Sequence, residues 1–316
     1  MLIPIIIGLA IIVLVLSYLL FQMRQRLKSI EQKHEARVQE ISEASGKHEQ
    51  MARTAEKKNL NLENRIYESY QYAQLVQAAT MPKDDILKKY AAEYFIFYEP
   101  KDLVSGDFYW ITEQDDMLFI AATDCTGHGI AGAFMAMIGN ILLNEIVNEN
   151  KTLDLPEILE ELNNKTIATL SQQSKPEHVV GMNVSICKIN KKKKTLSVAG
   201  ANQISLFTNK DHVIQVKGSP FVIGDTILQQ RKEVSFVSQD IRYDSGFCLY
   251  LFTDGLTVQF GGPDSKKFGI KKFMDFIYNN KTLSLSEQKE QLIGDYKEWK
   301  SQEKQIDDVL VIGLKF

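Results

Sequence analysis

Four aspartates stand in short glycine-rich or turn-like strings, each beside an apolar run that reads as strand or helix. They are Asp107 in Val104-Ser105-Gly106-Asp107-Phe108-Tyr109-Trp110, Asp124 in Ala121-Ala122-Thr123-Asp124-Cys125-Thr126-Gly127-His128-Gly129, Asp254 in Leu251-Phe252-Thr253-Asp254-Gly255, and Asp307 in Gln305-Ile306-Asp307-Asp308-Val309-Leu310-Val311. A carboxylate at the end of a buried strand is costly unless something pairs with it. Brought together, the four would form a site for hard divalent cations, which prefer oxygen ligands. The glycines let backbone approach closely, so a main-chain carbonyl can join the shell.

The elements that must position these residues occupy only part of the chain. Its 316 residues suffice for one large domain plus attachments. The net charge of −3 leaves no basic footprint for nucleic acid. Three cysteines, Cys125, Cys187 and Cys248, lie far apart, match no zinc spacing and give no reason to expect disulfides, which fits a reducing compartment.

Residues Leu2 to Phe21 carry no charge and are almost all Ile, Leu, Val or Ala. A helix of about 20 apolar residues spans a hydrocarbon core. A basic segment ahead of the run and a small-residue cleavage site after it are both missing, so a retained anchor is expected over residues 1–21 rather than a secretory signal. Arg24, Arg26 and Lys28 follow at once, which places everything after Phe21 in the cytoplasm by the positive-inside rule. The expected location is therefore the cell membrane, with a single pass.

Residues 22–81 contain no proline and one glycine, Gly46, among good helix formers. A heptad places Leu27, His34, Ile41, His48, Ala55, Leu62, Ser69 and Val76 on one seam, and Glu31, Val38, Ser45, Ala52, Asn59, Ile66 and Ala73 on the other. Many of these positions are polar or small, so the pattern fits either a solvated helical stalk or a weak parallel coiled coil joining two protomers as a homodimer. Pro82 ends the helix after Met81, and a mixed α and β domain fills residues 82–316.

Within it, 94–98, 117–122, 182–189, 195–199, 204–208, 213–216, 247–252 and 309–315 read as strands, being β-branched or aromatic and bounded by turns. Helices are expected over 131–148, 156–171 and 268–278, and a fourth begins at a capping box of Ser284 with Glu287 and reaches about Trp299. Strands cluster centrally with helices on either side in sequence, which favours layered α+β over alternating βαβ. The four lysines 191–194 read as a solvated hairpin turn.

Five strings in this order resemble the SpoIIE-like branch of the metal-dependent (type 2C-like) serine/threonine protein phosphatases. They are Pro100-Lys101-Asp102-Leu103-Val104-Ser105-Gly106-Asp107-Phe108-Tyr109-Trp110, Asp124-Cys125-Thr126-Gly127-His128-Gly129, Ala199-Gly200-Ala201-Asn202, Phe252-Thr253-Asp254-Gly255 and Asp307-Asp308-Val309. The resemblance runs from about Tyr72 to Phe316. It implies an α-β-β-α sandwich with the metal site at one edge between two antiparallel sheets.

Carried over by motif, Asp107 and Asp124 would hold one ion with the carbonyl of Cys125. Asp124 would bridge to a second ion held by Asp254 and Asp307. Asp308 fills a slot that is often Asn or Asp in relatives and is expected to support the ligands. The chain departs from its relatives at Ile130-Ala131, where Val-Pro is common. It departs again at Val180 and Asn183, where close relatives often carry aspartates, and at Thr257-Val258, which replaces a small residue and an Asp.

The resemblance implies two Mn²⁺ or Mg²⁺ ions roughly 3.5–4 Å apart, and attack by an activated water in line on phosphorus. No covalent intermediate is required, so Ser105 reads as a turn residue and Lys101 as a surface lysine. Asp107, Asp124 and His128 are the expected catalytic residues. His128 suits protonation of the leaving seryl oxygen, since imidazole titrates near working pH, although a turn histidine bonded to backbone has the same sequence signature. The expected substrate is a phosphoserine or phosphothreonine protein, by resemblance an antagonist of an anti-sigma factor. A catalytically inactive metal-binding scaffold that docks partners is the alternative. Residues Tyr72 to Pro82 match the helix that helps order the metal site in SpoIIE-like relatives.

Overall fold

Apolar residues run almost unbroken through the central strands, so each sheet has two faces to bury, and this decides the layers. The structure, a computed structural model, describes residues 3–170, 180–209, 211–226 and 234–316. Two compact units divide the chain, Met1–Glu68 and Ser69–Phe316.

Helix α1 (Ile3–Thr80) supplies the described part of the first unit and continues into the second. Its first apolar stretch is long and apolar enough to cross a membrane, and none of it is buried. The helix stops at Thr80, one residue before the expected end. Pro82 disfavours helical backbone at the residue preceding it.

The second unit continues with α2 (Leu87–Tyr90), β1 (Glu93–Glu99), β2 (Phe108–Gln114), β3 (Met117–Cys125), α3 (Gly129–Asn144) and α4 (Leu155–Leu170). Then come β4 (Met182–Asn190), β5 (Thr195–Ala201), β6 (Ile204–Thr208), β7 (Val213–Lys217), β8 (Ser238–Arg242) and β9 (Cys248–Phe252). The chain closes with α5 (Gly255–Val258), the short pair β10 (Phe260–Gly261) and β11 (Lys266–Lys267), α6 (Gly269–Asn279), α7 (Leu285–Lys300) and β12 (Val309–Lys315). The expected end of α4 at Ser171 lies outside the described residues. Ser284 caps α7 as expected, its hydroxyl accepting from Glu287 N at 3.3 Å while its own N–H donates to Glu287 Oε2 at 2.8 Å.

Two five-stranded antiparallel sheets result, in the orders β1-β12-β9-β6-β7 and β2-β3-β4-β5-β8. Leu118, Ile120 and Ala122 of β3 meet Leu310, Ile312 and Leu314 of β12 in the layer between the sheets. The alternate residues Phe119 and Ala121 pack outward with α3 and α4 through Met135, Leu143, Leu155 and Leu162. On the other side Val309 and Val311 face α6 and α7 through Phe273, Phe276, Leu292 and Tyr296. Helices, sheet, sheet and helices thus stack around three apolar layers, and burial of this area drives their assembly. A polar row joins the end of α3 and the π-helical turn after it (Glu145–Glu149) to β2: Trp110 Nε1 donates to Asn144 Oδ1 at 3.2 Å, and Thr112 Oγ1 to Asn148 Oδ1 at 2.8 Å.

Candidate metal centre

The strand register carries the four aspartates to one edge. Phe108 pairs with Thr123 across β2 and β3, so Asp107 just before β2 and Asp124 near the end of β3 are neighbours. Val311 pairs with Phe252 across β12 and β9, so Asp254 just after β9 and Asp307 just before β12 are likewise neighbours. Each sheet therefore contributes two carboxylates.

Asp308 laces the two sheets together. Its buried carboxylate accepts from Lys101 N at 2.7 Å and from Gly106 N at 2.8 Å, both in the loop that leads into β2. That loop is tightly folded. Asp107 N donates to Ser105 Oγ at 3.0 Å, which makes Ser105 the turn residue its context implied. A Cβ on Gly106 would sit 2.5 Å from Gly127 O and 3.2 Å from Cys125 O, so only glycine lets the two loops approach. Gly255 is equally constrained, since a Cβ there would lie 1.9 Å from Asp308 O.

The charges are crowded. Burial pushes the Asp107 carboxyl well above its usual range, and the Asp124 charge adds to the rise. Asp124 is pushed up to about 7, by burial first and then by Asp254. Burial and the neighbouring Asp307 raise Asp254. Burial raises Asp307 too, against the pull of the Asp308 N–H that its Oδ1 accepts at 2.9 Å and of the Lys101 and His128 charges. Asp107 Oδ2 is buried without a hydrogen-bond partner. A buried carboxylate oxygen with no donor, in a field of like charge, is the donor set that a hard cation relieves.

Among the described residues, no three His, Cys, Asp or Glu side chains are already gathered as a ligand cluster. The aspartates border the edge rather than close on a point. An ion there would complete its shell with main-chain carbonyl and water beside the carboxylates that reach it, which suits Mg²⁺ because it dehydrates reluctantly.

The positions of the remaining candidates follow. The Cys125 thiol is buried and burial raises its pKa, so the carbonyl rather than the sulfur is its available donor. His128 lies at the start of α3, half-exposed, with Nδ1 2.8 Å from Asp102 Oδ2. Asn183 stands directly opposite Asp124 in the β3–β4 ladder and donates from Nδ2 to Asp124 Oδ2 at 3.0 Å. Its own Oδ1 accepts from Asn202 Nδ2 at 2.9 Å, so the Ala199-Gly200-Ala201-Asn202 string props the residue that orients Asp124.

Gln77, near the end of α1, is not among the expected site residues. Its Nε2 donates to Ser105 O at 2.6 Å and its Oε1 accepts from Ser105 N at 3.0 Å. Nothing in a polar helix marks one glutamine among many; only its burial distinguishes it.

The sequence matches the family Stage II sporulation protein E (SpoIIE) over residues 114–316. Among solved structures, the SiaA-PP2C domain of Pseudomonas aeruginosa is similar at 27% identity, with a TM-score of 0.73, covering 80% of this chain and 98% of that one. The PP2C phosphatase domain with a fragment of the regulatory domain of SpoIIE from Bacillus subtilis shares the fold at 20% identity, with a TM-score of 0.58, over 71% of this chain and 63% of that one. No curated protein matches the chain.

Proposed function

The chain belongs to the SpoIIE family of PP2C-type, metal-dependent protein-serine/threonine phosphatases, and we propose that it acts as a membrane-anchored signalling phosphatase on a phosphorylated protein. The observation that carries this reading is the meeting of Asp107, Asp124, Asp254 and Asp307 at one edge, with Asp107 Oδ2 buried and unpartnered.

In this reading Asp107, Asp124 and the Cys125 carbonyl would hold one Mn²⁺ or Mg²⁺, and Asp124, Asp254 and Asp307 would hold a second. The ions supply Lewis acidity toward the phosphoryl group and the attacking water. The chain's own residues do the rest. Asn183 fixes which Asp124 oxygen is free, Asp308 holds the Asp107 loop, and His128 is the acid for the leaving seryl oxygen.

The test is phosphate release by the full chain in detergent from a phosphoserine protein. Release should require Mn²⁺ or Mg²⁺, stop with EDTA and return on adding ion back. Metal binding without turnover would instead establish an inactive scaffold. We further propose an antagonist of an anti-sigma factor as substrate, by family membership. Release from an unrelated phosphoserine protein at equal kcat/KM would remove that refinement.

The anchor is proposed from the uncharged stretch up to Phe21, and its orientation from Arg24, Arg26 and Lys28. Protease added to intact cells should leave the domain whole, and permeabilised cells should lose it. Digestion in intact cells would reverse the orientation.

A further inference from the structure

The Asp102–His128 pair sits beside the carboxylate edge, yet fold stability does not explain it. Both side chains are substantially exposed, 55% for His128 and 40% for Asp102, and exposed pairs of this kind contribute little to folding. The loop that carries Asp102 is nevertheless anchored. Asp102 lies in a loop gripped on both sides by Asp308, at Lys101 N and at Gly106 N. His128 is flanked by Gly127 at φ 91 and Gly129 at φ 64, left-handed values that glycine adopts without strain and that set the turn presenting the ring. A Cβ on Gly129 would lie 3.4 Å from Asp102 Oδ2 and 3.6 Å from the Tyr70 hydroxyl, ordinary contact distances, so it is the left-handed backbone rather than space that calls for glycine beside the pair.

We propose that Asp102 is a positioning residue for phosphoester hydrolysis: by accepting from Nδ1–H of His128 it holds the ring of the doubly protonated imidazolium so that Nε2–H delivers a proton to the departing seryl oxygen. This rests on the phosphatase reading above. In the step, a water oxygen forms the new bond to phosphorus and gives up one proton to solvent. The bond between phosphorus and the seryl oxygen breaks with its electron pair on that oxygen, which takes the proton from Nε2. His128 then regains a proton from solvent.

A seryl alkoxide needs that proton, whereas a nitrophenolate leaves without it, so the leaving group separates this role from a structural one. The full chain in detergent is assayed on a phosphoserine peptide and on p-nitrophenyl phosphate. Asp102→Ala should lower kcat on the peptide by about tenfold or more, and shift the ratio of peptide to aryl rates by a similar factor. Asp102→Asn, whose amide oxygen still accepts from Nδ1–H, should recover much of the loss. His128→Ala should lose more, and the double variant should be no slower than His128→Ala alone, because the two act as one unit. The Mn²⁺ concentration for half-maximal activity should stay put.

Equal losses on both substrates, a raised Mn²⁺ requirement, or multiplying losses in the double variant would each overturn the proposal and make Asp102 a loop residue. A wild type that cleaves neither substrate would refute the phosphatase reading itself and take this inference with it.

Discussion

Replacing Asp124 by Asn should abolish turnover, by about a thousandfold or more, while making the ion-free protein more stable at neutral pH. Both effects have one cause. Asp124 is the carboxylate opposed by Asp254, Asp307 and Asp308 at once, and its pKa stands at about 7 against an ordinary value of 3.8. A folded-state pKa raised above the unfolded value means the native protein binds the proton more tightly. Stability is then fully present below about pH 4 and is lost as pH rises toward about 7. Above that range the charged, ion-free site works against the fold by on the order of 2 kcal/mol, after discounting for the solvent that still reaches Asp124. An asparagine carries no charge, and its oxygen can still accept from Asn183. Thermal unfolding of the EDTA-treated chain should give similar midpoints for wild type and Asp124→Asn at pH 4, and a higher midpoint for the variant at pH 8. Added Mn²⁺ should raise the wild-type midpoint at pH 8 and leave the variant nearly unmoved. Equal midpoints at pH 8 without ion would mean that the four carboxylates do not repel one another as described.

What the sequence makes legible is the set of charged residues beside buried strands. β9 and β12 are continuous apolar runs, so the apolar pattern alone puts Asp254 and Asp307 at strand ends. β3 is legible too, although it runs on through Asp124 to Cys125, past its expected end at Ala122. β2 does not stand out as a strand, because Phe108-Tyr109-Trp110 reads first as part of a motif. β8, Ser238–Arg242, is an exposed edge strand whose polar residues show no alternation. The supporting contacts are harder still. Asn183 stands out in sequence only as a departure from relatives; its bond to Asp124 depends on the β3–β4 register, which pairs residues 59 apart. Asp102 and His128 meet across 26 residues, and Gln77 and Ser105 across 28, by loop folding that no local pattern encodes.

The Gln77 contact leads to the second large effect. Gln77 is the buried residue of α1, and its amide makes both hydrogen bonds that the Ser105 backbone can make. The adjoining Gly106 N is held by Asp308, and Ser105 Oγ receives Asp107 N, so the end of α1 fixes the main chain that aims Asp107. Gln77→Ala strands a buried donor and acceptor, each worth about 1–3 kcal/mol when unpaired. The loop should relax, raising the Mn²⁺ concentration for half-maximal activity by about tenfold or more, with part of kcat returning at saturating ion. Gln77→Glu should be worse, since a carboxylate can accept from Ser105 N but cannot donate to Ser105 O, and it adds negative charge to an acidic edge. We propose that the same helix transmits the state of the stalk. The seam residues His34, Ser45, His48 and Asn59 keep any coiled coil weak, so a few kcal/mol would bias two arrangements. Changing all four to Leu should tighten dimerisation in sedimentation. It should also shift phosphatase rate and Mn²⁺ requirement together, and in a Gln77→Ala background the shift should vanish because the link to Ser105 is gone. If the dimer tightens while rate and Mn²⁺ requirement stay where they were in the otherwise native chain, the stalk is a tether alone.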